Sequence, residues 1–311
     1  MTSAICTLFE GGYHYGVGAL ANSLYTRGFR GTIYTGYRGP LPFWITETKS
    51  ADGLIKFSPA PGLTLLFVPV NAKVHLTNYK PDFMLEVWEK FCPEAEAVFY
   101  FDPDITVKSR WEFFEEWVEA GVAVCQDING SMADNHPIRH AWRKHFQPQG
   151  VQFNHRFDTY FNGGFVGVCR RDRDFLKDWL QIQSLMQKSG VDFQSLGVGD
   201  RTFPFTCRDQ DALNIACMVT QQNVSPTGQD GMDFQYGGGG YIMSHAIGNP
   251  KPWNKRFLAI FFRRAAAPSR ADKEHFRAVE FPIRLYSPSE LWFKRFSLLT
   301  ASFLGRFMRN I

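Results

Sequence analysis

Residues 97–104 read Ala-Val-Phe-Tyr-Phe-Asp-Pro-Asp, an apolar run that ends in two carboxylates. The run predicts a strand that is buried on both faces, as in a parallel sheet covered by helices. In such a sheet ligands bind beyond the carboxyl ends of the strands, so we expect Asp102 and Asp104 at a ligand-binding edge. The proline between them has a fixed φ and no N–H, which stiffens their spacing.

Two carboxylates one residue apart can share a divalent cation. Mg²⁺ and Mn²⁺ take oxygen ligands, and a bound cation of this kind can also hold a diphosphate. The alternative is a solvated turn, because Asp and Pro are both common in turns. The apolar strand in front of Asp102 favours the metal site but leaves the turn open.

Strand and helix patterns alternate on both sides of this strand. Strands are predicted at residues 4–9, 31–35, 63–70, 122–126 and 164–168, and helices at 14–27, 81–91, 172–187 and 209–219. A polar, glycine-rich loop is predicted from 221 to 240. The alternation predicts an α/β fold with a mainly parallel central sheet flanked by helices.

A second chemical signal lies at residues 244–253, Ser-His-Ala-Ile-Gly-Asn-Pro-Lys-Pro-Trp. His245 follows a short apolar strand at 241–243, and its neutral imidazole could complete the coordination of a metal. Gly248 would let the backbone approach a phosphate. Lys251, between two prolines, would bring a cation to a departing diphosphate. A single histidine is more often a hydrogen-bonded or surface residue, so the prediction of a metal ligand depends on the whole pattern and not on His245 alone.

The spacing His-x-x-Gly-x-x-Lys-Pro-Trp resembles a motif of the retaining family 8 glycosyltransferases, the group of glycogenin and the bacterial lipopolysaccharide galactosyl- and glucosyltransferases. Three other segments are similar to family motifs in the same order. These are Thr7-Leu8 followed by Tyr13, Phe161-Asn162-Gly163-Gly164, and Asp209-Gln210-Asp211-Ala212-Leu213-Asn214. The resemblance covers about residues 4–254.

The resemblance implies a Rossmann-like GT-A fold, a Mn²⁺ or Mg²⁺ ion and a UDP-sugar donor. It also implies transfer of a hexose, with retention of configuration, to a glycan or glycolipid acceptor such as lipopolysaccharide or capsule. By position, it assigns the metal to Asp102, Asp104 and His245, and the donor to Leu8, Phe9, Tyr13, Lys80, Asn162, Gly163, Gly248 and Lys251. It assigns catalysis to Asp209, Gln210 and Lys251, with Gln210 near the anomeric carbon.

Departures from the family pattern leave alternatives open. The turn at 9–12, Phe-Glu-Gly-Gly, differs from the family's usual turn, so a GDP-sugar remains a possible donor. Residues 129–157, rich in His, Arg and Trp, do not align, and we interpret them as an acceptor-side loop. The rival functions are a nucleotidyltransferase and a non-catalytic carbohydrate- or lipid-binding protein on a glycosyltransferase fold.

Composition restricts the partners. A formal net charge of +4 is too mild to indicate nucleic acid. The sequence shows neither a signal peptide nor an apolar run of spanning length, and its six cysteines form no C-x-x-C pair. These features predict a reducing, cytoplasmic location.

The C-terminal end carries the basic excess. We predict a catalytic domain at 1–258 and a basic, aromatic extension at 259–311. Residues 289–309 have helical apolar periodicity, with one face formed by Trp292, Phe296, Leu299, Phe303 and Phe307. Aromatic residues flanked by cations predict peripheral contact with the inner face of the membrane. The alternatives are docking on the protein body or on a partner in a homo-oligomer.

Overall fold

The computed structural model describes residues 1–45, 54–195, 204–234 and 239–308. Its centre is an eight-stranded sheet flanked by helices. The strands of the described residues are β1 (Ser3–Glu10), β2 (Gly31–Arg38), β3 (Ile55–Ala60), β4 (Leu63–Pro69), β5 (Ala97–Phe101), β6 (Ile105–Val107), β7 (Val122–Ser131), β8 (Thr159–Cys169), β9 (Val224–Thr227), β10 (Met232–Asp233) and β11 (Met243–His245). Their α-helices are α1 (His14–Thr26), α2 (Lys80–Glu86), α3 (Trp111–Val118), α4 (Pro137–Phe146), α5 (Asp174–Lys188), α6 (Arg208–Val219), α7 (Phe257–Arg264), α8 (Arg270–Arg277) and α9 (Pro288–Met308).

The large sheet has the order β3-β4-β2-β1-β5-β8-β7-β9. Strands β4, β2, β1 and β5 run parallel to one another, and β9 runs parallel to β7. Strand β8 runs antiparallel to both β5 and β7, and β3 is an antiparallel edge. A smaller sheet has the order β10-β11-β6. The predicted mainly parallel α/β fold is confirmed.

Strand β5 shows why both faces of the sheet are covered. All five of its residues are buried. Phe99 and Phe101 belong to one hydrophobic core, whereas Val98 and Tyr100 belong to a second core on the opposite face. Successive side chains of a strand point to opposite faces, so an unbroken apolar run is the pattern of a strand between two helical layers.

Part of the predicted loop at 221–240 is strand. Val224–Thr227 forms β9 against the edge of β7, and Met232–Asp233 forms β10 beside β11. Such short strands carry almost no period-2 signal, so pairing with an existing edge determines them rather than local propensity. Residues 235–238 of that predicted loop lie outside the described residues.

The C-terminal segment packs on the body of the protein. The Asn22 side chain of α1 donates to the carbonyl oxygens of Ala278 (2.8 Å) and Ile283 (2.7 Å), and it accepts from the Ile283 N–H (2.7 Å). Helix α9 buries Leu291 and Leu298 in the same core as α1. The helix predicted at 289–309 is present, although Arg309 lies outside the described residues, and the boundary at 258 stays a prediction.

Candidate active site

Strand pairing brings three distant parts of the chain together at the end of β5. Phe165 of β8 pairs with Phe101, the residue before Asp102. In the smaller sheet His245 pairs with Ile105, the residue after Asp104. The Asp102 N–H donates to the carbonyl oxygen of Gly164 at 2.7 Å. The main chain therefore fixes Asp102, Asp104 and His245 around one point.

The side chains of these three residues, here called the triad, converge. His245 Nε2 lies 3.2 Å from Asp104 Oδ1 and 3.7 Å from Asp102 Oδ2. One potential ligand atom from each residue lies within 4.8 Å of those of the other two. Two carboxylate oxygens and one imidazole nitrogen form a donor set that suits Mn²⁺ or Mg²⁺.

Contacts behind the triad orient its imidazole. His245 Nδ1 lies 3.2 Å from Asn162 Oδ1, and this oxygen also accepts from the Gly164 N–H at 2.9 Å. With a cation bound, a proton on Nδ1 would let the imidazole donate to Asn162 Oδ1 and would leave the Nε2 lone pair free to ligate the cation. This is the arrangement found where histidine ligates a metal, so the residues fit a divalent cation.

Lys251 is the first of two buried lysines at the triad. Its Nζ donates to Asp104 Oδ2 at 2.5 Å and to the Ala246 carbonyl oxygen at 3.0 Å. Burial by itself would raise the pKa of Asp104, but His245 and Lys251 outweigh burial and hold the pKa below its ordinary value. Asp104 is therefore an ionised carboxylate, as a metal ligand must be.

Lys80 is the second buried lysine at the triad. Its Nζ contacts Asp102 Oδ1 (3.2 Å), Asp209 Oδ2 (3.2 Å) and the Gly163 carbonyl oxygen (2.7 Å), and the residue is only 1% exposed. Burial would lower the pKa of Lys80, but Asp102 and Asp209 outweigh it and raise the pKa. Lys80 thus joins the end of β5 to the start of α6 and to β8.

Helix α6 is clamped onto β8. The Asn214 side chain accepts from the Phe161 N–H (2.8 Å) and donates to the Phe161 carbonyl oxygen (2.9 Å). Gln210 Oε1 accepts from the Gly163 N–H at 2.8 Å. These bonds explain the spacing of the Asp-Gln-Asp-Ala-Leu-Asn segment, because Asn214 holds the helix while its first turn presents Asp209 and Gln210 to the site.

Tyr13 forms another wall of the site. Its ring packs edge-to-face on Trp253, with centroids 5.5 Å apart, and Lys251 Nζ lies 5.5 Å from the centre of the Tyr13 ring. The 3₁₀ turn Gly11–Tyr13, directly after β1, places the ring there.

A cleft of about 540 Å³ contains this site. Of the residues predicted from the sequence, it is lined by Leu8, Phe9, Tyr13, Asp102, Asp104, Asn162, Gly163, Asp209, Gln210, His245, Gly248 and Lys251. Lys80 lies beneath this lining and contacts Asp102 and Asp209. The structure therefore brings the whole predicted set together.

The cleft also has lining residues that sequence reasoning missed, including His75, Tyr100, Asp127 and Asn129. Tyr100 donates to Asp102 Oδ1 at 2.9 Å, and Asp127 Oδ2 accepts from Asn162 Nδ2 at 2.7 Å. Asp127 had a signal of its own, because it follows the apolar stretch of β7 as Asp102 follows β5. His75 lies in the connection between β4 and α2, which carries no chemical pattern.

Neither protein-family models nor curated protein sequences give a match to the chain. Among solved structures, the chain is similar to the apo structure of WbbM, a bifunctional glycosyltransferase. The TM-score is 0.54 and the identity 15%, over 94% of this chain and 51% of that one. The chain thus has a glycosyltransferase fold consistent with GT-A, and it spans about half the length of the WbbM chain. The family 8 assignment and retention of configuration remain predictions.

Proposed function

We propose that this protein is a metal-dependent retaining glycosyltransferase that moves a hexose from a UDP-sugar to a glycan or glycolipid acceptor. One observation carries the proposal: three residues that could hold a metal ion, a buried lysine and an Asp-Gln helix start meet in a single cleft on a glycosyltransferase fold. The resemblance to family 8 motifs supports UDP and retention.

Each part of the cleft has a role in donor binding. Tyr13 stacks on the base, beside the backbone of Leu8 and Phe9. Asn162 and Asp209 hold hydroxyl groups of the donor sugar. A Mn²⁺ or Mg²⁺ ion, held by Asp102, Asp104 and His245, would stabilise negative charge on the diphosphate.

Transfer breaks the bond between the anomeric carbon and the diphosphate oxygen. A new bond forms from that carbon to the acceptor oxygen on the same face, and the acceptor's proton goes to the departing diphosphate. Lys251 stabilises the charge that develops on this leaving group, and Gly248 lets the backbone come close to it. Gln210 is a poor nucleophile, so its amide positions the sugar rather than forming a covalent intermediate.

A thermal-shift screen of nucleotide sugars with and without Mn²⁺ tests the proposal. A true donor binds the native state selectively, and at 100 times its dissociation constant it adds about 2.7 kcal/mol to the free energy of unfolding. We expect stabilisation by a UDP-sugar with Mn²⁺, loss of that stabilisation in EDTA, and release of UDP when an acceptor is added.

Two Asp→Asn variants sharpen the test. Asp104→Asn should abolish the Mn²⁺-dependent shift, whereas Asp174→Asn should preserve it, because Asp174 is an exposed residue of α5 paired with Lys177.

Release of inorganic diphosphate in place of UDP would instead indicate a nucleotidyltransferase. Absence of any metal-dependent nucleotide binding would favour a non-catalytic binding protein.

We also propose that α9 docks on the inner face of an anionic membrane. Its outer face consists of aromatic and aliphatic side chains that are each 51–65% exposed: Trp292, Phe296, Leu299, Phe303 and Phe307. The neighbouring α7 adds an exposed Phe262 followed by exposed Arg263 and Arg264, and Arg306 lies beside the α9 face. Apolar side chains bordered by cations are complementary to an anionic interface. In the part of the chain that the structure describes, no helix meets the length and apolarity needed to span a bilayer.

Sedimentation with lipid vesicles tests this surface. The triple variant Trp292→Ser/Phe296→Ser/Phe303→Ser should lose binding to vesicles containing phosphatidylglycerol without a fall in melting temperature. Tyr241→Ser is the control, since Tyr241 is 72% exposed and lies in the connection between β10 and β11. If the unmodified protein is a dimer and the triple variant is a monomer that still binds vesicles, the face is instead a contact between two copies of the chain.

A further inference from the structure

A second cleft, distinct from the cleft proposed to bind the donor (the donor cleft), is formed by the part of the chain between β7 and β8. It has a volume of about 340 Å³ and is lined by Asp134, Arg143, Gln147, Phe153, His155 and Arg156. All six residues belong to the stretch 129–157. In the structure this stretch contains α4 and packs beside the start of β8, where the Met132 N–H donates to the Asp158 carbonyl oxygen at 3.0 Å.

Cations outnumber anions around this second cleft. Arg143 donates to the Asp134 carbonyl oxygen at 2.7 Å and also pairs with its carboxylate, so these two charges largely cancel. Arg156 is 86% exposed, and its Nε lies 3.9 Å from the same carboxylate, beyond hydrogen-bond distance. The guanidinium of Arg156 is therefore available to a ligand.

Two further side chains of this stretch carry buried nitrogen atoms without a hydrogen-bond partner. His155 lines the cleft, and its Nε2 is buried without a hydrogen-bond partner. Arg139 is fully buried, and only its Nη2 is bonded, to the Thr159 carbonyl oxygen at 2.6 Å, whereas Nε and Nη1 are unpartnered. Burial lowers the pKa of Arg139, but an arginine stays protonated near neutral pH.

The cleft has the volume and an aromatic side chain for a sugar ring. Phe153 provides an aromatic face, with the Arg143 guanidinium carbon 5.8 Å from the ring centre. The chain also limits the separation from the donor cleft. Asn129 lines the donor cleft and Asp134 lines the second one, and five residues span at most about 18 Å when fully extended.

We infer that this second cleft is a remote acceptor subsite for a negatively charged sugar, with Arg156 and His155 binding its phosphate or carboxylate and Phe153 contacting its ring. The assignment of this cleft to an acceptor depends on the proposed glycosyl transfer. Remote contacts of this kind contribute binding energy far from the reacting atoms, so they select a charged acceptor chain over a neutral one.

Binding of small probes to the full chain tests the subsite. We expect glucose 6-phosphate or glucuronate to bind measurably by titration calorimetry and glucose not to bind. Inorganic phosphate, as a third probe, separates recognition of the anion alone from recognition of the charged sugar. Arg156→Gln should weaken the binding of whichever anionic sugar binds more tightly by at least tenfold, whereas Arg110→Gln should leave that affinity unchanged. Arg110 is a matched control, since it is 66% exposed and paired with Glu116 on α3, outside both clefts.

The same variants separate this inference from the proposed function. Arg156→Gln should preserve the Mn²⁺-dependent stabilisation by a UDP-sugar, because Arg156 does not line the donor cleft. If no anionic probe binds, or if Arg156→Gln binds as tightly as the unmodified protein, the subsite is refuted while the donor site stands. Arg156-dependent binding without any donor stabilisation would retain the anion site and refute the glycosyl transfer.

Discussion

Gly164→Ala tests whether the position of His245 controls the proposed metal site. Gly164 lies on β8, against the imidazole. A Cβ at residue 164 would lie 2.5 Å from His245 Cε1, 2.9 Å from His245 Nδ1 and 2.8 Å from Asn162 Oδ1. The φ angle of Gly164 is not in the left-handed region, so alanine imposes no backbone strain of that kind and the effect must come from the contact.

The size of the effect follows from the overlap. Carbon atoms in contact settle about 3.5 Å apart, so the imidazole must retreat by about 1 Å. A displacement of this size costs about a hundredfold in rate, or about 2.7 kcal/mol of transition-state stabilisation. Overpacking a core costs about 1–3 kcal/mol in the free energy of unfolding, so we expect a lower melting temperature but a folded protein.

The assay measures Mn²⁺-dependent release of UDP from a UDP-sugar, together with the Mn²⁺ concentration for half-maximal rate. Gly163→Ala is the comparison, because its Cβ would come no closer than 3.3 Å, to Asp209 Oδ2, and a smaller loss is expected. Since Gly164→Ala acts through His245, combining it with His245→Ala should add little to the loss caused by His245→Ala alone. A Gly164→Ala protein with unchanged rate and unchanged metal requirement would refute the assignment of His245.

Three further predictions concern the buried charges. Lys251→Ala should lower kcat more than it weakens donor binding, because the lysine acts on a leaving group whose charge develops during the reaction; equal losses in kcat/KM and donor affinity would contradict this. Asp104→Ala should abolish metal stimulation while the circular dichroism spectrum stays native, and full activity of the unmodified protein in EDTA would remove the metal from the mechanism. Lys80→Met should lower the free energy of unfolding by about 3 kcal/mol, because it leaves Asp102 and Asp209 without their buried cation; an unchanged urea midpoint would contradict it.

The part of the site nearest β5 could be predicted because its signals are local. An apolar run ending in Asp-Pro-Asp identifies both a buried strand and the chemistry at its end, and the segment from His245 to Trp253 is dense enough in special residues to stand out. Strand pairing then brought these two segments together. Sequence order alone does not reveal the antiparallel pairing of β11 with β6.

The far side of the donor cleft was less predictable. Asp127 enters through β7, which reaches the site only because β8 reverses direction between it and β5. The sequence predicts a loop at 129–157, whereas the structure has α4 there, and Pro137 in the first turn of α4 is a recognisable start signal. Ile138, Trp142 and Phe146 also recur every four residues in α4, which is the apolar period of an amphipathic helix.

Lys294 makes α9 a two-sided element. It lies on the side of the helix opposite the aromatic face, and its Nζ donates to the Trp253 carbonyl oxygen at 2.9 Å, two residues from Lys251. Deleting the helix would therefore remove a hydrogen bond that holds the backbone next to Lys251, so a truncated protein could not separate lost lipid attachment from a damaged cleft. The contact also offers a route for communication. If bilayer attachment stiffens this backbone and raises nucleotide affinity by some factor, nucleotide must raise bilayer affinity by the same factor.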